Sequence, residues 1–96
     1  MMDEFWDKMQ GVSNIMESLE QEHKRYFSNE EELELLKYKK SFIDNCIFWA
    51  NAEISDEEKR KRIRWEYHNM FTNLSNIINK NVEQWEEIDD EYNQDL

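Results

Sequence analysis

Glu20 and His23 stand three residues apart, the Glu-x-x-His spacing that places two metal ligands on one face of a helix in di-metal bundle sites. Such a centre needs the same pair again on another helix, and the other histidine, His68, has Trp65 at that spacing instead of a carboxylate. No metal is therefore expected, and His23 reads as a residue of a packed seam. The single cysteine, Cys46, cannot form an internal disulfide and falls among Phe42, Ile43 and Ile47, the setting of a buried, unreactive thiol. No Ser or Cys sits beside a histidine in a nucleophile motif. With one glycine, Gly11, in 96 residues, neither a P-loop nor a dinucleotide-binding turn can be built, because each needs several positions where only glycine lets backbone approach phosphate. The expectation is a non-enzymatic protein with no catalytic residues, no metal and no cofactor.

The charged residues are more informative. Lys59-Arg60-Lys61-Arg62 with Arg64 has the composition of a nucleic-acid patch, but Asp56, Glu57 and Glu58 lie four residues ahead of Arg60, Lys61 and Arg62, the orientation that favours ion pairs along a helix. The whole chain carries a formal charge of −11, which repels phosphate, so direct nucleic-acid binding is not expected. Glu83, Glu86, Glu87, Asp89, Asp90, Glu91 and Asp95 crowd the last fifteen residues, where no base accompanies them. In a helix these carboxylates sit at the negative end of the dipole and crowd one another at Glu83/Glu87 and Glu86/Asp90, so folding gives no reason for them.

At about 100° per residue, Glu83, Glu86, Glu87 and Asp90 share a helix face with Trp65 and His68, across from Trp85 and Tyr92. Trp65 lies nearly opposite the stripe of Ile63, Tyr67, Met70 and Leu74. It either packs under the stems of Lys61 and Arg62 and against helix two, or stands exposed as an interface anchor. The candidate partner-binding residues are Trp65, His68, Glu83, Trp85, Glu86, Glu87, Asp90 and Tyr92.

These side chains must be positioned by long helices, since the chain has no proline and turns fall to Ser and Asn. Phe5, Met9, Val12, Met16, Leu19, His23 and Tyr26 alternate by four and three, marking helix one over about 3–27. Ser28 with Glu31 or Glu32 forms a capping box for helix two over about 29–52. There Leu35, Leu36, Phe42, Ile43, Cys46, Ile47, Trp49 and Ala50 cover so much of the circumference that neighbours are needed on two sides. A second box at Ser55 to Glu58 opens helix three, whose stripe is Ile63, Tyr67, Met70, Phe71, Leu74, Ile77, Ile78, Val82, Trp85, Ile88 and Tyr92. It runs over about 55–80 and either continues or restarts as an acidic helix over about 82–95.

The expected architecture is all-α, one domain over 1–96. It is an antiparallel three-helix bundle with an over-long third helix, or a four-helix bundle if the chain folds back near Asn79-Asn81. In the first form the overhanging apolar groups are covered by a partner or by a homodimer through the C-terminal helix. An acidic start, Met1 to Asp7, and the lack of an apolar span imply a cytoplasmic protein away from membranes, with signal-independent export left open.

These features point to a small acidic protein-binding module. The leading reading is an inhibitor or neutraliser of the immunity or phage anti-defence type, docking on a basic surface of a partner protein, such as one that binds nucleic acid. The alternative rests on Trp49-Ala50-Asn51 before a turn and Trp85-Glu86-Glu87-Ile88-Asp89 near the end. These resemble the central Trp-x-Gly and C-terminal aromatic-x-x-x-acid of small exported helical-hairpin proteins, with Asn51 in place of the glycine. That resemblance implies a helical escort or targeting partner.

Overall fold

A computed structural model describes the backbone of residues 2–94 and the side chains of residues 4–81. The chain is all-α: α1 (Met2–His23), a 3-10 turn (Lys24–Tyr26), α2 (Asn29–Asn51) and α3 (Asp56–Gln94). Among the described residues no strand is present and no helix is long and apolar enough to cross a membrane.

The caps follow from the serines. Ser28 Oγ accepts the backbone N–H of Glu31 (3.2 Å) while Glu31 Oε1 accepts the N–H of Ser28 (3.0 Å), so two donors at the start of α2 are satisfied reciprocally. Ser55 Oγ likewise accepts the N–H of Glu58 (3.2 Å) at the start of α3. Helix one ends at His23, earlier than its periodicity implies, because the chain tightens into the 3-10 turn and Phe27 leaves in extended conformation.

α3 is one uninterrupted helix of 39 residues, and the longest dimension of the molecule, 62 Å, is close to its length. The fold-back near Asn79-Asn81 is thereby corrected. Asn81 is buried and its Nδ2 donates to Ile77 O (2.9 Å) and Glu31 Oε2 (2.7 Å), bonds that need residues 77–81 to stay helical. Glu31 thus caps α2 and pins that cap to α3.

α1 and α2 each pack along α3 and meet one another far less. Phe5 and Met9 lie against Ile63, with Val12, Cys46, Trp49 and Tyr67 around them. Met16 and Leu35 lie against Met70, Leu74, Ile77 and Ile78, and Tyr67 and Val12 join the two clusters. This order makes α1 run with α3 and α2 run against both. Ile63 and Leu74 are shut off from solvent almost completely. Phe71, by contrast, is expected on the buried stripe and lies on the exposed side, about 80° from Ile63.

Helix two departs further from expectation. Its face with Leu35, Phe42, Cys46 and Trp49 packs on α3, yet Leu36, Ile43 and Ile47 are each more than half exposed. The second neighbour that its sequence calls for is not supplied within the described residues. Between α1 and α2 lies an open groove of about 400 Å³ lined by Met16, Leu35, Phe42 and Ile43, bridged by Lys39 Nζ to Glu20 Oε1 at 2.5 Å.

Candidate functional site

The described part of the predicted face begins where α2 ends and α3 starts. Trp49 comes from the last turn of α2, half-buried and edge-on to Phe48 (4.9 Å between ring centres). Glu58, Lys61, Arg62, Trp65 and Glu66 come from the first turns of α3, and with Trp49 they line an open hollow of about 410 Å³. Successive turns of one helix place Glu58, Arg62 and Glu66 four residues apart, so the hollow has a ladder of alternating charge along one side.

Arg62 is held from two directions. Its Nε donates to Glu58 Oε1 (3.0 Å), and its guanidinium lies 4.8 Å from the centre of the Trp49 ring. The cation is thus stacked and paired among the described residues. Glu66 Oε2 accepts from Asn45 Nδ2 (3.2 Å), which ties this part of α3 to α2. Of the three ion pairs expected along the start of α3, Glu58 with Arg62 is the one formed among the described residues.

Trp65 is 61% exposed at the edge of this hollow. Its position nearly opposite Ile63 turns it away from both clusters of the core, and Lys61 and Arg62 border it without covering it. His68, one turn on, is exposed as well. The structure therefore brings Trp65 and His68 onto one outward face. The side chains of Glu83, Trp85, Glu86, Glu87, Asp90 and Tyr92 lie outside the described residues.

Beyond the Trp49-Ala50-Asn51 motif, sequence spacing does not single out Trp49 and Arg62 for binding. Trp49 reads in sequence as part of the apolar face of helix two, and Arg62 as one member of a basic run. Their cation–aromatic contact depends on how α2 crosses α3, which spacing within a single helix does not contain.

The other candidates for chemistry are occupied or spread apart. Glu20 pairs with Lys39, and His23 is half-buried on α1. No group of three or more metal-binding side chains converges among the described residues. Cys46 is half-buried, and burial, reinforced by the charge of Glu66, raises its thiol to about 11, which suppresses thiolate chemistry near neutrality. An exposed indole, a stacked guanidinium and flanking carboxylates equip this region to dock on another surface through mixed apolar and polar contacts.

No known protein family, curated protein or solved structure matches this chain.

Proposed function

We propose that the chain is a three-helix bundle whose over-long third helix presents a protein-docking face, with Trp65 as the aromatic anchor and the acidic C-terminal turns as its charged extension. The observation that carries this reading is the exposure of Trp65 (61%) beside an Arg62 that stacks on Trp49. A large aromatic left outside the core adds little to the packing of the fold, whereas Trp and Arg are over-represented at the centres of protein interfaces. The partner presents a basic surface complementary to the −11 charge of this chain, and binding blocks that surface in the manner of an inhibitor.

The experiment is affinity capture from the native host with the full chain, Trp65→Ala and a chain ending at Asn81, combined with thermal melting. The captured protein should bind Trp65→Ala at least about 30-fold more weakly, as expected for an interface anchor, while the melting temperature stays near that of the parent. Its affinity for the full chain should fall steeply as salt rises. An obligate complex indifferent to salt would support the helical escort reading instead. A melting temperature that collapses in Trp65→Ala would place the indole in the core and end the proposal.

A further inference from the structure

A set of exposed residues on α2, apolar but for Lys40, follows a regular order. Leu33, Leu36, Lys40, Ile43, Ile47 and Ala50 alternate by three and four, and all six are exposed. At about 100° per residue they form one stripe, about 120° around the helix from the face that packs on α3. This is the spacing of a coiled-coil seam with a single lysine at one core position.

We propose that this stripe pairs with the same stripe of a second copy, antiparallel and two-fold symmetric about a point between Lys40 and Ile43. In that register Leu33 packs on Ala50 of the second copy, Leu36 on Ile47, and Lys40 on Ile43, and each contact occurs twice, as a two-fold interface requires. The flanking charges agree: Lys37 of one copy lies alongside Asp44 of the other, again twice. Lys40 sets the orientation. A parallel pairing would stack Lys40 on Lys40 inside the seam, whereas the antiparallel one lays each lysine stem on an isoleucine and lets its ammonium reach water.

The area suits a weak association. Four side chains of the stripe (Leu33, Leu36, Ile43 and Ile47) are 53% to 60% exposed, a patch of roughly 400 Å² per copy. Two copies bury roughly 800 Å², the size of a transient contact rather than of a permanent interface. The dimer is therefore weak and concentration-dependent. It uses α2 and leaves Trp65 on α3 free, so it stands or falls separately from the docking proposal.

Sedimentation equilibrium of the full chain over a range of concentrations tests it. The parent should pass from monomer to dimer, and Ile43→Asp should remain monomeric with unchanged helix content, because Ile43 contributes an exposed side chain. Lys37→Glu alone should weaken the dimer about tenfold, and the double variant Lys37→Glu with Asp44→Lys should restore it, since the swapped charges still face one another. A parent that stays monomeric throughout, or a dimer untouched by Ile43→Asp, would overturn the proposal. A double variant as weak as Lys37→Glu would overturn the antiparallel register.

Discussion

Helices α2 and α3 carry the same kind of three-four apolar spacing and use it in different ways. α3 lies between α1 and α2, so Ile63, Met70, Leu74, Ile77 and Ile78 are enclosed from two sides. α2 has α3 on one side only, and Leu36, Ile43 and Ile47 look outward. Periodicity thus identifies a face that wants covering; the number of neighbours that reach it decides whether that face becomes core or contact surface.

The largest expected difference comes from truncating one residue of each kind. Leu74→Ala should destabilise by about 2 to 5 kcal/mol, because an almost wholly enclosed leucine leaves a cavity. Ile43→Ala, measured at a concentration where the chain is monomeric, should change stability by less than about 0.5 kcal/mol. Urea unfolding of both variants checks the contrast, and equal losses would dissolve it.

A second contrast concerns the link between the two helices. Burial opposes ionisation of Glu31, but hydrogen bonds from the Ser28 backbone and hydroxyl, the Asn81 amide and the nearby Lys80 charge outweigh it and hold the carboxyl below its ordinary 4.5. A folded-state pKa that is lowered contributes stability above the ordinary value, and that contribution disappears as pH falls through the lowered one. Asn81→Ala should cost about 1 to 2 kcal/mol at neutral pH by removing one charge-assisted hydrogen bond and one backbone contact. It should also leave less to lose on acidification. Urea midpoints for Asn81→Ala and the parent near neutrality and at about pH 3 would read both effects.

Much of this was legible in the sequence. Ser28 with Glu31 and Ser55 with Glu58 located the helix starts because caps are local chemistry, and the stripes on helices one and three named most of the core. Rotation about one helix axis places Trp65 opposite Ile63, but whether helix two or the Lys61 and Arg62 stems cover it stayed open until the structure showed it exposed. What the sequence did not contain was contact between helices. The absence of a turn near Asn79-Asn81 depends on Asn81 reaching Glu31 fifty residues away, the stacking of Arg62 on Trp49 depends on where α2 crosses α3, and the bare side of α2 depends on α1 packing on α3 instead.

The smallest expected effect lies on α1. Gly11 is exposed within the helix, and a methyl group there would meet nothing within 4 Å. Gly11→Ala should therefore raise stability by about 0.5 to 1 kcal/mol through helix propensity alone. Thermal melting would detect the increase, and its effect on partner capture or on self-association should be nil.

On the dimer proposal, the fold is completed inside by α3 and the outer stripe of α2 is completed by association. Thermal melting of the parent and of Ile43→Asp from the micromolar to the millimolar range tests this most directly, because a dimer that forms only from folded chains raises the melting temperature with concentration. The account predicts a midpoint that climbs with concentration in the parent and stays level in Ile43→Asp. A parent midpoint that does not move with concentration would contradict it.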